Sequence, residues 1–389
     1  MYSGLSYCIV GSGFSGSVLA ERIARVLDKK VLVVEKRSHI GGNSFSDIDS
    51  ATGIEIHKYG SHIFHTSKKN VWDYICRFGE FSNYQHKVMA LFKHRIYQMP
   101  INLKTINDFF DKNFSPNEAI EFLNKEISSC GINVPKNLEE KAIASIGLKL
   151  YDAFIKGYTR KQWGKDPALL PVDIISRLPV RYNYNANYFN DLYQGIPLDG
   201  YGRLFDRLLA HRNIELKLNT PYEEIAHDIP STCKIIYTGM IDRLFDYRFG
   251  ALEWRSLNFE WETQKVSDYQ GTSVVNYSDE SVPFTRIHEF KHYHPEKTEI
   301  FNAPQTVLCR EYPQAWQQGV EAFYPVNDSY NNERLKKYLH KAKQKPNLIV
   351  TGRLGLYRYW DMDTAIEKAL NLFERIKKED SVHHQDTAI

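Results

Sequence analysis

The chain has 389 residues, room for two or three domains or for one large cofactor domain carrying insertions. Its 50 lysines and arginines nearly balance 47 aspartates and glutamates, and a net charge of +3 gives no argument for nucleic acid or a membrane surface as partner. The five cysteines (Cys8, Cys76, Cys130, Cys233, Cys309) are scattered and free of CxxC spacing, which argues against a disulfide framework or zinc site and suits a reducing cytoplasm, and no apolar stretch approaches bilayer-spanning length.

The first predicted element is a strand, Tyr7-Cys8-Ile9-Val10, that runs directly into Gly11-Ser12-Gly13-Phe14-Ser15-Gly16. Beginning so close to Met1, it leaves no room for a signal peptide. A helix follows with Val18, Leu19, Ile23 and Val26 on one face. Strand, glycine turn and helix form a dinucleotide site. Gly11 permits the tight turn, Gly13 lets backbone N–H groups approach a pyrophosphate, and Gly16 lets the helix pack close to the strand. A second strand, Lys30 to Val34, ends at Glu35, where a carboxylate would accept hydrogen bonds from a ribose diol; the plainer alternative is a solvated strand-end acid. Gly41-Gly42-Asn43 then supplies a second glycine pair, which NAD units do not need and FAD units often have, so FAD is the expected cofactor.

His57, His62 and His65 crowd the next segment. No carboxylate or cysteine stands near at ligand spacing, so no metal is expected and a polar lining beside a flavin ring is. From about Pro100 to Pro179 apolar residues recur at spacings of three and four, and Ser115-Pro116-Asn117-Glu118 matches a capping box, so a helical insertion is predicted. It closes with Lys156-Gly157-Tyr158-Thr159-Arg160-Lys161-Gln162-Trp163-Gly164, either a polar aromatic site or a solvated helix end with a core tryptophan. Arg181 and Arg286 each follow a proline closely, a stiff mount for a guanidinium that could grip phosphate oxygens, although each alone reads as a surface charge. Strands are predicted over 214–218, 234–238, 273–277 and 347–351, then a helix from Thr364 to Lys377 that returns the chain to the nucleotide domain, then a disordered polar tail. Tyrosines cluster in polar company over 182–189 and 357–360, which suits a pocket that stacks a base and hydrogen-bonds a sugar or phosphate.

The blocks GSGFSG, VVEKRSHIGGN, GIEIHKYGSHIFHT, IKGYTRKQWG, PVRYNY, NYFNDLYQGIP, IIYTG, FDYRFGALEWRSL, VPFTR, FYPVND and GRLGLYRYWDMD run in order from Ser6 to Asp363, and together they resemble the bacterial UDP-galactopyranose mutases. That resemblance implies an α/β fold: a discontinuous FAD-binding Rossmann-like domain (1–80, 201–245, 331–378), a twisted antiparallel sheet domain (81–100, 181–200, 246–330) and a helical domain (101–180) with a mobile loop near 166–184, leaving 379–389 disordered. It implies a cytoplasmic homodimer acting on UDP-galactose and UDP-galactofuranose, with no nucleic acid and no membrane insertion. Its chemistry would be covalent: N5 of reduced FAD attacks the anomeric carbon, UDP leaves, and the sugar is held as a flavin iminium until it recloses. The galactofuranose would serve surface polysaccharide.

By the same resemblance, Arg181 and Arg286 look like the diphosphate clamp, and His62 like a histidine that supports the reduced, anionic flavin electrostatically. Phe154 and Tyr158 resemble the uridine-stacking pair, with Gln162 and Trp163 beside them. Tyr188, Tyr324 and Tyr359 resemble hydroxyls that orient diphosphate and sugar, with Asp361 and His65 also at the substrate. Cofactor contacts are implied for Gly11, Gly13, Phe14, Ser15 and Gly16, for Glu35, Lys36, Gly42 and Asn43, for His62 and Ile63, for Thr238 and Gly239, and for Arg353, Asp361 and Met362. Trp360 and Phe323 replace family tyrosines but leave the functional ones in register. Relatives that take N-acetylated sugars tend to carry arginine where this chain has His65, so plain UDP-galactose is favoured over UDP-N-acetylgalactosamine. A flavin amine oxidase shares the N-terminal unit, and a non-enzymatic UDP-sugar sensor would share the aromatics; neither needs paired arginines for turnover.

Overall fold

The computed structural model describes residues 4–175 and 180–386. Near-continuous apolar runs need cover on both faces, and the first sheet supplies it. It is five-stranded and wholly parallel, in the order Leu348–Val350, Lys234–Tyr237, Tyr7–Val10, Val31–Val34, Ile214–Lys217. Its strands come from both ends and the middle of the chain. The helix Phe14–Val26 covers one face and buries Val18, Leu19 and Ile23 in the same core as Ile366, Ala369, Phe373 and Ile376 of the terminal helix Met362–Asp386. That helix continues through 379–386, where disorder was expected; of that tail, residues 387–389 lie outside the described residues. Beyond Lys377 it is tied back to the sheet unit by ion pairs of Glu379 with Lys234 (3.7 Å) and Asp380 with Lys29 (3.4 Å).

The second sheet has seven strands, in the order Tyr324–Pro325, Trp254–Gln264, Thr306–Ala315, Arg286–Glu289, Val274–Tyr277, Val88–Phe92, Arg95–Met99. Neighbours are antiparallel except Val274–Tyr277 beside Val88–Phe92. Its two long central strands were not among the predicted elements. Pro313 argues against a central strand, yet here it pairs with Leu257 and lies beyond the end of Arg286–Glu289, which reaches only Leu308 to Glu311. The missing N–H therefore costs no ladder bond on that side. Trp254–Gln264 exposes Asn258, Glu260, Trp261 and Thr263, which dilutes its apolar signal.

The helical unit packs against the second sheet, sharing a core with Ala90 and Tyr97. The capping box forms as predicted, with Ser115 accepting from Glu118 N–H at 3.5 Å and Glu118 accepting from Ser115 N–H at 2.8 Å. Helices Leu103–Phe110 and Leu138–Ile146 are capped by Asn102 and Asn137. The last stretch, Leu148 to Trp163, widens into a π turn over Asp152–Lys156, a local distortion that recurs at functional sites. Of the predicted mobile loop, residues 176–179 lie outside the described residues.

Candidate active site

A single cleft of about 1380 Å³ runs from the carboxyl ends of the parallel strands to the π turn, and it is lined by every predicted site residue except Arg181. Ordinary small-molecule sites occupy about 300–1,000 Å³, so this one has room for a dinucleotide and a second ligand.

At one end, three glycines keep the backbone bare. Gly11 has φ +98°, and a Cβ there would overlap the Thr238 hydroxyl, which itself donates to Val10 O at 2.7 Å. A Cβ on Gly16 would collide with Gly11 O, and one on Gly42 would stand 3.1 Å from Gly13 Cα, so Gly13 and Gly42 face each other across the turn. The N-terminus of the helix Phe14–Val26 opens here. Glu35 accepts Ser12 N–H at 3.0 Å and Ser12 O–H at 2.9 Å on one oxygen and Arg37 N–H at 3.0 Å on the other. Sequence reasoning missed Arg37. Its guanidinium lies 4.4 Å from the Tyr59 ring centroid, donates to Asn43 Oδ1 at 2.8 Å and to Glu321 Oε2 at 2.6 Å, and leaves Nη1 buried with no partner. Lys36 also pairs with Glu321 at 3.0 Å, and the two cations hold that carboxyl down to about 2 although burial opposes it.

Along the middle of the cleft, His62 Nδ1 hydrogen-bonds Gly60 O at 2.8 Å, and its backbone N–H donates to His57 Nδ1 at 3.0 Å. Burial lowers the His62 pKa to about 4, which favours the neutral imidazole. Arg353, on the short helix Gly352–Gly355, donates to Phe323 O and, at 3.3 Å, to Ala322 O. His65 Nδ1 meets Asp191 Oδ2 at 2.7 Å and stacks on Phe189 with 3.7 Å between centroids. Burial raises the Asp361 pKa.

The far end is aromatic. Phe154 packs against Phe92, Tyr97 and Phe109 and still edges the cleft. Tyr324 lies between Trp163 (6.4 Å) and Tyr359 (5.8 Å). Gln162 is buried, and both its amide oxygen and nitrogen lack partners. Gly157 allows this helix to approach the sheet, since a Cβ there would strike Ser278 O. Lys161 proves structural: its ammonium donates to the carbonyls of Tyr277, Asp279, Val282 and Phe284 at 2.6–3.0 Å, binding the loop that leads to Arg286.

Arg286 donates from Nη2 to the Tyr158 hydroxyl and sets Nε 3.5 Å from Glu311 Oε1. Strand register puts the two side by side, because Arg286 pairs with Glu311 across the ladder. Burial alone would raise the Glu311 pKa, but Arg286 and His288 outweigh it and the carboxyl is held below its usual range. Nothing in the local sequence reveals Glu311, since its partner lies on another strand. Arg181 is not brought to Arg286. Its guanidinium is taken up by its own segment, donating to Asn187 O, to Asn185 O at 3.2 Å and to Asn190 Oδ1 at 2.6 Å.

These features match known proteins. A family model described as UDP-galactopyranose mutase matches residues 153–359, and one described as NAD(P)-binding Rossmann-like domain matches residues 9–78. The chain is 40% identical to dTDP-fucopyranose mutase of Escherichia coli, covering 93% of this chain and 96% of that one. It is also 40% identical to a probable UDP-galactopyranose mutase of Klebsiella pneumoniae (93% and 92% covered) and 33% identical to UDP-galactopyranose mutase of Mycoplasma pneumoniae (95% and 96% covered). In fold it is similar to a crystal structure of reduced UDP-galactopyranose mutase, with a TM-score of 0.73 at 17% identity over 96% of both chains. A putative protoporphyrinogen oxidase from Exiguobacterium shares the fold at TM-score 0.65 and 13% identity, covering 97% of this chain and 100% of that one.

Proposed function

The chain belongs to the UDP-galactopyranose mutase family, and on that premise we propose that it interconverts UDP-galactopyranose and UDP-galactofuranose with FAD as its resident cofactor. The observation that carries this reading is one continuous cleft with a bare glycine cradle at one end and, at the other, an unpaired amide among aromatics and a half-buried arginine.

The residues fit a flavin dinucleotide. Facing glycines leave room for a pyrophosphate, Arg37 Nη1 offers a donor without an acceptor, and Glu35 retains lone pairs for a ribose. When bound and reduced, the flavin supplies a nucleophilic nitrogen, which explains why an isomerisation without net oxidation would use a redox cofactor. Everything else falls to the chain. Gln162 presents both a donor and an acceptor, the complement of a pyrimidine imide edge, with Phe154, Tyr158 and Trp163 around it. Arg286, held by Tyr158 and Glu311, neutralises negative charge on the diphosphate as it departs. Arg181 joins it when phosphate oxygens, as charged acceptors, replace the neutral carbonyls that now hold its guanidinium. Neutral His62 hydrogen-bonds and packs rather than adding charge.

The test incubates UDP-galactofuranose with FAD-loaded protein, with and without dithionite, beside a parallel arm with dTDP-fucopyranose because a relative bears that name. Isomerisation of the UDP sugar only after reduction is expected. Peroxide production without isomer would overturn the proposal, and turnover confined to the dTDP sugar would replace its substrate.

A further inference from the structure

Beside Arg286, from the cleft-lining Glu311 to the cleft-lining Ser61, runs a polar chain through His288 that the proposed chemistry does not use. His288 lies two residues on along the same strand and so on the same face. It is fully buried. Its Nε2 meets Glu311 Oε2 at 3.2 Å, and its Nδ1 meets Ser61 Oγ at 2.5 Å; Ser61 in turn contacts the Tyr293 hydroxyl. Ser61 immediately precedes His62, which lines the cleft.

The donors and acceptors in this chain allow one consistent direction. Glu311, held ionised beside Arg286, only accepts, so His288 Nε2 carries the proton and donates it. Burial lowers the His288 pKa despite the adjacent carboxylate, which favours the neutral ring and leaves Nδ1 as an acceptor for the Ser61 hydroxyl. Ser61 then accepts from Tyr293, whose own pKa is raised by burial and whose O–H is retained. The other titratable groups that face Glu311 are the Tyr158 and Tyr324 hydroxyls, the Cys309 thiol and His62. None of them replaces the His288 donor.

We propose that His288 is a positioning residue for the diphosphate clamp, holding Glu311 in the orientation and charge state that fix the Arg286 guanidinium at the cleft. Arg286 and the Thr285 hydroxyl also favour the charged form of Glu311, and a buried carboxylate that loses its His288 donor takes up a proton at a higher pH than before, below which a neutral Glu311 no longer pairs with Arg286. The inference rests on the reading of Arg286 as a diphosphate group's partner.

The experiment compares wild type, His288→Leu and His288→Gln as full-length FAD-loaded chains, measuring flavin content and the affinity for UDP from pH 5 to 9. Glutamine can donate to Glu311 and accept from Ser61; leucine can do neither. His288→Leu is expected to keep its flavin, to weaken UDP at least about tenfold, and to move the acid limb of the affinity profile to higher pH. His288→Gln should stay within about threefold of wild type, as one neutral donor replaces another. Wild-type protein that fails to bind UDP would sink the functional reading itself. If wild type binds and His288→Leu matches it at every pH, the positioning role is wrong. Loss of flavin or fold in both variants also overturns it, making His288 a core residue only.

Discussion

At the scale of single residues, the cleft is built from partners distant in sequence. Lys161 lies in a block that sequence analysis marked for its cations, yet its charge is spent on four carbonyls of the loop 277–284. Burial lowers its pKa to about 8, and of the four carbonyls Asp279 O keeps a further donor, the Val282 N–H at 3.3 Å, if the ammonium is removed. Lys161→Met is therefore expected to destabilise the holoenzyme by about 2–4 kcal/mol, read as a lower urea midpoint, with weaker UDP binding because the loop leads to Arg286. An unmoved midpoint would show that the cage is dispensable. The glycines and Glu35 were legible because each acts through its own local geometry. Glu311, His288, Arg37 and Glu321 were not, since each takes its meaning from a side chain on a remote segment. The burial that lowers the His62 pKa leaves no mark in the sequence.

At the scale of elements, periodicity and caps were sufficient where helices are amphipathic, as over 103–146, and the parallel strands stood out as apolar runs. The long antiparallel strands escaped because one face is half exposed and one carries a proline. The turn Phe290–Tyr293, which follows the strand of Arg286, shows what fastens such an element. His292 Nε2 lies 3.2 Å from Asp268 and 3.5 Å from Glu289, while Glu289 also accepts the N–H groups of Tyr269 and Gln270. These three side chains are the one group among the described residues whose ligand atoms converge as for a metal, but their lone pairs are already engaged by His292 and by backbone N–H groups. Burial alone would lower the His292 pKa; Glu289 and Asp268 outweigh it and raise it, with the Lys291 ammonium nearby bound to carbonyls. A raised folded pKa stabilises fully below the unfolded value near 6.5 and is lost as pH climbs through the folded value. Wild type should thus exceed His292→Gln in stability by about 1 kcal/mol or more at pH 6, with the gap closing by pH 8.5. A gap that stays constant or widens with pH in chemical denaturation would contradict the ion-pair assignment.

At the scale of the whole molecule, the parallel sheet gathers strands from residues 7 to 350, and the terminal helix packs on the first helix, Phe14–Val26, so the cofactor end of the cleft closes only when both of these segments are in place. The discontinuity was legible from the returning strand and helix, whereas the length of the final helix was not, because ion pairs to Lys29 and Lys234 extend it. The central claim is that the cleft holds FAD and a nucleotide sugar side by side, with Arg286 gripping the diphosphate. It is tested most directly by titrating UDP into FAD-loaded wild type and Arg286→Ala while following flavin absorbance and bound nucleotide. One UDP per chain is expected to bind wild type without releasing flavin, and Arg286→Ala should keep its flavin while its reduced form loses about 10²–10³-fold in turnover and its UDP affinity falls. Displacement of flavin by UDP, or equal UDP affinity in the two proteins, would contradict the account.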